Sequence, residues 1–444
     1  MSNKIGVISL GCAKNQVNAE QMMYLLKEAG YTICPSVDGV DVAIVNTCGF
    51  IESAKAEAIA NILQCAQLKQ AGRVGKLLVT GCLSQRYQEE ILQEMPEVDG
   101  VLGVGNYSDI VLAVEQLLQG KTICEFGSID DCRIDNVARV LTTPEHYAYL
   151  KIAEGCDNHC AYCVIPSLRG AYRSRPLEEL LYEARTLAAD GVKELIVVAQ
   201  DTSRYGLDLY GKRMLSQLLK ELCRIDGIEW VRIHYLYPDE ITQELIEVIA
   251  NEPKITKYLD IPIQHVNDRI LASMNRRGNK AYLDALLLEL REKIPGLVLR
   301  TSLITGLPGE GEAEFEELCV FLKRHHMERV GAFAFSPEEG TPAAQMDYPD
   351  AEIAQQRAEL IEQLQSRIMD AYNSSMLGKK LKVLCEGYDP EREAYYGRSF
   401  AESPEIDGRV WVESVAPVKT GQFVTILVDG AVDGELRGSC VEEF

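Results

Sequence analysis

At 444 residues the chain is too long for one ordinary hydrophobic core, so two or three domains are expected. The content of 47% hydrophobic and 25% charged residues is typical of globular proteins, and no apolar run approaches the roughly 18 residues of a membrane span. The net charge of −22 disfavours attraction to a phosphate backbone and favours a basic partner. The first residues pass directly into a strand pattern without a signal peptide's apolar region, which predicts a cytoplasmic location.

The first 120 or so residues alternate short apolar runs with helical patterns, which predicts a doubly wound parallel sheet. Three of the runs end at Cys12, Cys48 and Cys82, each of which has a glycine beside it. Parallel strands end at one edge of their sheet, so these thiols should converge although they are far apart in sequence. Cysteines are common in cores, but that alternative does not explain their shared position at strand ends. The pattern therefore favours a metal cluster.

A polar connector separates this region from the next. We predict an N-terminal domain over residues 1–122, a linker over 123–141, a central domain over 142–375 and a C-terminal domain over 376–444. Cys124 and Cys132 lie in the connector, and no ligand spacing relates them to other cysteines. We interpret both as bystanders.

The central region repeats a strand-then-helix pattern about six times, which predicts a partial (β/α)6 barrel. Its first strand leads into a loop that carries Cys156, Cys160 and Cys163 at the spacing C-x3-C-x2-C. Three thiolates can hold three corners of a 4Fe–4S cluster and leave one iron open. The alternative is a structural zinc site with a fourth ligand elsewhere, such as His159, but no second C-x2-C pair follows.

The C-x3-C-x2-C loop after a first strand resembles the radical S-adenosylmethionine (radical SAM) superfamily. The segments Ser9–Asn15, Asn46–Phe50 and Thr80–Leu83 resemble the three cysteine motifs of the methylthiotransferases, and the likeness covers almost the whole chain. The resemblance implies two 4Fe–4S clusters, with SAM on the Cys156/Cys160/Cys163 cluster and an auxiliary cluster on the other three cysteines. It also implies a radical reaction that uses two molecules of SAM. An electron donor such as flavodoxin or ferredoxin is implied as a partner.

Other polar residues follow the predicted central strands. The basic segment from Leu168 to Pro176 offers arginines for an anionic group, although arginines at a surface would explain it equally well. In the family, polar strand ends line the cavity for SAM and substrate. The resemblance thus makes four residues candidates for the SAM or substrate cavity: Arg173, Arg175, Gln200 and Gln264. We assign no catalytic side chain and leave the isolated histidines without a role.

The last residues, from about 377, show five short strands, which predicts a small antiparallel barrel. It resembles the TRAM domain that closes methylthiotransferases. In residues 377–444, 13 acidic residues stand against 8 basic ones, a balance of −5. Because phosphate binding needs positive charge, we expect no direct RNA binding by this domain.

Methylthiotransferases divide mainly by substrate, either tRNA bases or an aspartate of small-subunit ribosomal protein S-twelve. The opening Leu10–Asn15 and the Glu-Glu-Gly-Thr of residues 338–341 resemble the RimO type, and the acidic C-terminal domain suits a basic ribosomal protein. We therefore predict methylthiolation of the aspartate β-carbon, in the free protein or the assembled subunit. The alternatives are a tRNA adenosine methylthiotransferase, a cobalamin-type radical SAM enzyme and a non-catalytic iron–sulfur electron carrier.

Overall fold

Two parallel sheets and a small closed barrel follow one another along the chain in the computed structural model, which describes residues 2–130 and 138–441. The predicted fold class is confirmed for each of these three parts of the chain. Cys132 lies outside the described residues. Within the described residues, no helix is both long enough and apolar enough to cross a membrane.

The N-terminal sheet has six parallel strands: β1 (Lys4–Ser9), β2 (Thr32–Cys34), β3 (Val40–Thr47), β4 (Val74–Gly81), β5 (Gly100–Leu102) and β6 (Ile123–Glu125). Their order is β2-β1-β3-β4-β5-β6. Ser9 pairs with Asn46 and Asn46 with Thr80, so β1, β3 and β4 end at the same level of the sheet. Strand β6 lies within the predicted linker, and the sequence did not indicate it because it is a three-residue edge strand without a clear apolar period.

Helices cover both faces of this sheet, and two core clusters lie between helices and strands. The helices are α1 (Ala13–Glu28), α2 (Glu52–Gln70), α3 (Cys82–Tyr87), α4 (Glu90–Glu94) and α5 (Ile110–Leu118). Polar residues of α1, among them Asn15, Asn18 and Glu20, are buried, which is unusual for a helix on the surface of a sheet. The reason is that α1 also packs against the central region, where Val17 contacts Tyr147 and Tyr149.

The central sheet contains six parallel strands in the order β14-β13-β12-β11-β10-β7. Each strand of this sheet lies beside the next in sequence, and β7 and β14 form the two open edges, as a partial barrel requires. A short hairpin, β8 with β9, follows the first strand. The strands are β7 (Tyr147–Lys151), β8 (Ala153–Glu154), β9 (Arg173–Ser174), β10 (Glu194–Val198), β11 (Trp230–Ile233), β12 (Ile255–Asp260), β13 (Val298–Thr305) and β14 (Arg329–Ala334).

The helices of this region cover the outside of the partial barrel, and the largest apolar core lies between them and the strands. They are α6 (Ile165–Arg169), α7 (Leu177–Ala189), α8 (Leu207–Tyr210), α9 (Leu215–Cys223), α10 (Gln243–Asn251), α11 (Asp268–Ser273), α12 (Lys280–Lys293), α13 (Glu312–His325) and α14 (Ala351–Met376). Short 3-10 helices lie at Thr202–Arg204, Pro238–Glu240 and Pro342–Gln345 in this region, and at Val104–Asp109 before α5 in the N-terminal region.

The C-terminal barrel closes through five strands in the order β15-β16-β17-β19-β18. The strands are β15 (Lys380–Asp389), β16 (Ala394–Arg398), β17 (Val410–Glu413), β18 (Phe423–Val432) and β19 (Glu435–Cys440). The pairing is antiparallel except between β17 and β19, which run parallel. Closure leaves no free sheet edge, so a core of few residues suffices.

A connection of the C-terminal barrel, residues 399–407, enters the amino end of the central barrel. Three side chains of this connection form hydrogen bonds there: Asp407 with Tyr258 (2.7 Å), Ser403 with His234 (3.0 Å) and Glu405 with Tyr147 (3.1 Å). Beside it, Glu194 pairs with Arg232 and Arg398, each at 2.7 Å and fully buried. The connection therefore closes the end of the central barrel opposite to the carboxyl ends of its strands.

Candidate iron–sulfur and SAM site

The three predicted thiols of the N-terminal region do converge. Cys12 begins the turn into α1, Cys48 follows β3 and Cys82 begins α3, and their strands are immediate neighbours. A Cβ added to Gly11 would lie 2.7 Å from the Cβ of Cys48 and 3.0 Å from its Sγ. Gly11 also has φ +86°, so only glycine suits this approach of the first two cysteine segments. We call these residues the N-terminal thiol group.

The charges around this group differ from thiol to thiol. Burial opposes ionisation of the Cys12 thiol, but Lys14 and Arg169 outweigh it and hold its pKa below the usual value. Burial and the neighbouring Cys82 raise the pKa of Cys48 to about 11. Burial also raises the pKa of Cys82, against the influence of Arg169. Since thiolates this close repel one another, a bound cationic centre would be needed to ionise all three.

The central thiol group, Cys156, Cys160 and Cys163, lies on the loop between β8 and α6. The loop begins at Gly155 with φ +79°, where a Cβ would lie 2.0 Å from the carbonyl oxygen of Ala171. Backbone hydrogen bonds fix its beginning, from Cys156 to Gly170 (3.1 Å), and its interior, from Ala161 to Met274 (3.0 Å). The loop is therefore positioned before any ligand binds.

Each sulfur of this central thiol group has a polar neighbour. The Asn158 side chain donates to Cys156 (3.6 Å), the Ile165 amide to Cys163 (3.5 Å), and Tyr237 contacts Cys160 with its hydroxyl (2.9 Å). Arg276 donates to Cys160 at 3.8 Å. Burial raises the pKa of Cys156 to about 11, and burial together with Cys160 raises that of Cys163. Donors of this kind stabilise the sulfurs of iron–sulfur clusters.

The donor set fits a 4Fe–4S cluster better than a zinc ion. His159, the fourth ligand that the zinc alternative required, is exposed, whereas Cys156 and Cys160 are buried. Among residues 2–130 and 138–441, no three His, Cys, Asp or Glu side chains are arranged around one metal ion. A four-iron cluster takes each thiolate at a separate corner, so its ligands do not need to meet at one point.

A short apolar contact joins the N-terminal thiol group to the segment that follows the central thiol group. Cys82 packs with Val164 and Leu168, which follow the central thiol group, and Phe50 of the N-terminal region packs against them. Arg169 completes this contact, because its guanidinium donates to the sulfur of Cys82 from Nη2 (3.1 Å) and Nε (3.3 Å). The sequence pattern marked this arginine only as part of a basic segment.

The four candidates for the SAM or substrate cavity lie in different environments. Gln200 donates to Glu154 (2.7 Å), and its buried Oε1 has no donor among the described residues, so it can accept one from a ligand. Gln264 has φ +68° and pairs through its backbone with β13. Arg175 is buried and binds Glu183 (2.7 Å), and Arg173 donates to the carbonyl oxygens of Ala171 and Arg169. The two arginines thus also hold the chain around the loop together.

Two acidic residues near the thiols, Glu154 and Asp201, lie beside predicted strands but were not among the four candidates. Glu154 binds Lys151 (3.0 Å) and Arg169 (3.4 Å), and these cations outweigh its burial and hold its pKa well below the usual range. Asp201 is fully buried and accepts from Asn158 (2.9 Å). Burial raises the pKa of Asp201. No spacing relates these residues along the chain, because each comes from a different strand end.

Glu338 of the Glu-Glu-Gly-Thr segment connects the central and N-terminal regions. It is buried and pairs with Arg86 (2.6 Å) and Lys55 (3.1 Å), which belong to α3 and α2. Its role in this structure is therefore to hold the two regions together beside the N-terminal thiol group.

Comparison with known proteins agrees with this geometry. Residues 4–103 match the family described as Uncharacterized protein family UPF0004, residues 150–322 match the Radical SAM superfamily, and residues 377–441 match the TRAM domain. "Ribosomal protein uS12 methylthiotransferase RimO" of Thermoanaerobacter sp. (strain X514) is 47% identical over 98% of this chain and 99% of the relative. The protein with the same description from Clostridioides difficile (strain 630) is 44% identical over 99% of both chains.

The chain belongs to the RimO type of the radical SAM methylthiotransferase family. The predicted family is confirmed, and so is the predicted enzyme class, a radical SAM methylthiotransferase.

Solved structures show the fold that this methylthiotransferase shares with other radical SAM enzymes. The radical S-adenosylmethionine methyltransferase TsrM from Kitasatospora setae, solved with cobalamin and a [4Fe-4S] cluster, aligns with a TM-score of 0.59. It is 12% identical, and the alignment covers 77% of this chain and 74% of TsrM. At this identity the likeness concerns the fold and not the reaction.

Proposed function

We propose that this methylthiotransferase replaces a hydrogen on the β-carbon of an aspartate in ribosomal protein uS12 by a methylthio group, with two 4Fe–4S clusters and two molecules of SAM. The observation that carries the proposal is the presence of two three-thiol groups, with Cys82 of one packed on Val164 and Leu168, which directly follow the other. The assignment to uS12 is supported by relatives of that description at 44–47% identity over nearly the whole chain.

In this proposal each thiol group holds one cluster through three cysteines. Cys156, Cys160 and Cys163 would hold the cluster that binds SAM, and Cys12, Cys48 and Cys82 the auxiliary one. When bound, these groups would supply a 5′-deoxyadenosyl radical from one SAM and a sulfur methylated by the second, with 5′-deoxyadenosine, methionine and S-adenosylhomocysteine as co-products. The remaining roles belong to residues of the chain.

The first of those roles is to exclude water from the reacting groups. At the amino end of the central barrel, residues 399–407 occupy the opening with hydrogen-bonded side chains. Helix α1 covers β7 through Val17 and buries its own polar residues in the contact. Both segments would therefore keep water away from the space in which the radical forms.

Binding of SAM is the second role, and its residues remain predictions. Gln200 is the best supported of the four candidates. Its buried Oε1 has no donor among the described residues, and its Nε2 donates to Glu154, which lies shortly before Cys156 in the chain. Gln264, Arg173 and Arg175 stay candidates for the same cavity. Arg175 already binds Glu183, and Arg173 already donates to the carbonyl oxygen of Ala171. We therefore expect the two arginines to support SAM binding by holding the cysteine loop in place and not by direct contact with SAM.

Charge supports the proposed partners. With a net charge of −22 overall and −5 in residues 377–444, the protein would attract the basic uS12, free or in the small subunit, and would not bind RNA directly through its C-terminal barrel. An electron donor such as flavodoxin or ferredoxin would complete the system.

Mass spectrometry of uS12 tests this proposal. In cells that contain the gene, uS12 should carry an addition of about 46 Da, which is the exchange of H for SCH3. The addition should vanish when the gene is deleted and return with the intact gene, but not with a Cys156→Ala copy. If the addition persists and a methylthiolated tRNA nucleoside disappears instead, the chemistry is right and the substrate is a tRNA.

Lys14 has the properties of a contact for the substrate carboxylate. It is buried, and its Nζ lies 3.8 Å from the centre of the Tyr235 ring, at the carboxyl end of β11. Within the described parts of the chain, no carboxylate lies within ion-pair distance of this ammonium. The acidic neighbour of this ammonium is the thiol of Cys12, which in this proposal is an iron ligand. A buried ammonium without a carboxylate partner is unfavourable, and the aspartate of the proposed substrate, or the carboxylate of SAM, would supply one.

We expect Lys14→Met to lower kcat/KM for uS12 about 10- to 100-fold, as the loss of a charge-assisted hydrogen bond would. Uncoupled formation of 5′-deoxyadenosine without uS12 should stay unchanged. Lys27→Met, on the exposed part of the same helix, is the matched control. If 5′-deoxyadenosine formation falls in parallel and the KM for SAM rises, Lys14 binds SAM and not the substrate.

A further inference from the structure

Arg169 connects the two thiol groups through one buried guanidinium. It is the last residue of α6, only 2% exposed, and it follows the central thiol group by six residues. Three of its nitrogens are used. Nε and Nη2 donate to Cys82 Sγ at 3.3 and 3.1 Å, Nη2 also donates to Asn15 at 2.9 Å, and Nη1 lies 3.4 Å from Glu154. Two donors on one sulfur are a specific arrangement, because a guanidinium presents its N–H groups in a fixed fork.

The charges around this guanidinium do not balance without the sulfur. Glu154 is the carboxylate that pairs with Arg169, but it also pairs with Lys151 at 3.0 Å and accepts from Gln200. Two buried cations therefore share one carboxylate. A buried charge needs a partner, and the sulfur of Cys82 is the remaining group that accepts hydrogen bonds from Arg169. A cysteine sulfur that binds iron is a thiolate, so Arg169 lies where it can balance the charge of that ligand.

The chain connectivity ties this contact to the other thiol group. Glu154 lies directly before the loop of Cys156, Cys160 and Cys163, and Arg169 lies directly after it. Their ion pair closes the base of that loop, and the same guanidinium holds Cys82. The position of the N-terminal thiol group is thereby fixed relative to the central one.

We propose that Arg169 is a positioning residue that holds Cys82 against the central loop and raises the reduction potential of the auxiliary cluster. The inference rests on the proposed function, since it requires that this cluster exists. Reduction adds one negative charge to the cluster. A buried cation and two N–H donors on one ligand sulfur stabilise the reduced form more than the oxidised form. Removing them should make the cluster harder to reduce.

The test uses the full chain with Cys156, Cys160 and Cys163 replaced by alanine, so that only the auxiliary cluster can assemble. In this background we compare Arg169, Arg169→Gln and Arg169→Lys by iron content and by a redox titration followed by electron paramagnetic resonance. The control is Arg276→Gln, because Arg276 is also a buried arginine of the central region, but the sulfur that it contacts is that of Cys160, which this background lacks.

We expect all four proteins to bind about four irons. At a fixed applied potential, Arg169→Gln should raise the ratio of oxidised to reduced cluster at least tenfold, which corresponds to a shift of about 59 mV for one electron. Arg169→Lys keeps the positive charge but loses the paired N–H donors, so the reduction potential should shift less in this variant. Arg276→Gln should leave the potential unchanged. If Arg169→Gln does not retain the cluster, a shift in Arg169→Lys in the same direction supports the inference, and no shift there overturns it.

An Arg169→Gln protein that keeps its cluster at an unchanged potential would contradict the inference alone and leave the proposed function intact. An equal shift in Arg276→Gln would also contradict it, since the effect would then not depend on contact with Cys82. If the background with Arg169 intact binds no cluster at all, the auxiliary cluster of the proposed function is wrong, and the inference falls with it.

Discussion

The variant in which Cys12, Cys48 and Cys82 are all alanine should form 5′-deoxyadenosine from SAM but transfer no methylthio group. The three thiols come from neighbouring strand ends of the N-terminal sheet, and within the described part of the chain no hydrogen bond joins them to the central loop cysteines. Its loss should therefore leave the SAM-binding cluster assembled, with about four irons in place of about eight. Because even indirect partners of a metal site change activity by about 10- to 100-fold, removal of the ligands themselves should lower methylthio transfer by more than about 100-fold.

The measurements for this variant are iron content, 5′-deoxyadenosine by chromatography and the mass of uS12. Cys124→Ala is the matched control, since Cys124 is an exposed cysteine on the edge strand β6 of the same sheet. It should keep full iron and full activity. A triple variant that still adds about 46 Da to uS12 would show that these thiols do not hold the transferred sulfur.

Replacing Cys156, Cys160 and Cys163 by alanine should abolish both 5′-deoxyadenosine and product. SAM cleavage depends on the cluster that this loop would hold, and no other thiol of the described chain is in contact with its sulfurs. The protein should stay folded, because the loop is fixed by the backbone bonds of Cys156 and Ala161 and not by its side chains alone. About four irons should remain, on the N-terminal thiol group.

Circular dichroism should confirm the fold of this variant while iron analysis and SAM cleavage report the site. Cys223→Ala serves as the control, because Cys223 is a buried thiol of α9 within the core of the same region. It should retain cleavage even if it lowers stability by the cost of a small cavity. Cleavage of SAM by the triple variant would place the cleaving cluster on Cys12, Cys48 and Cys82 and reverse the two assignments.

These two predictions depend on residues that could be found in the sequence. Cys12, Cys48 and Cys82 were predicted to meet because strand ends of a parallel sheet share one edge, and the pairing of β1, β3 and β4 shows that edge. The loop of Cys156, Cys160 and Cys163 was recognisable because all its thiols lie within eight residues. Local spacing and strand periodicity were sufficient in both cases.

Other features could not be predicted because they depend on contacts between regions. Arg169 was interpreted as a candidate for an anionic ligand, and the structure shows it on the sulfur of Cys82, 87 residues earlier in the chain. Nothing in the sequence of α1 indicated that its polar residues would be buried, which the contact of Val17 with β7 brings about. Likewise, no pattern in residues 399–407 indicated that they enter the central barrel.

The sequence by itself determined the three regions, their strand types and the six cysteines, because these follow from local periodicity and from ligand spacing. Only the tertiary structure decided which charges surround those cysteines and what closes the space between them. The physical reason is that buried polar groups need partners, and their partners here come from distant segments: Arg169 for Cys82, Glu154 for Lys151 and Asp407 for Tyr258. Such pairs are set by the packing of the sheets and the barrel against one another, which has no period along the chain.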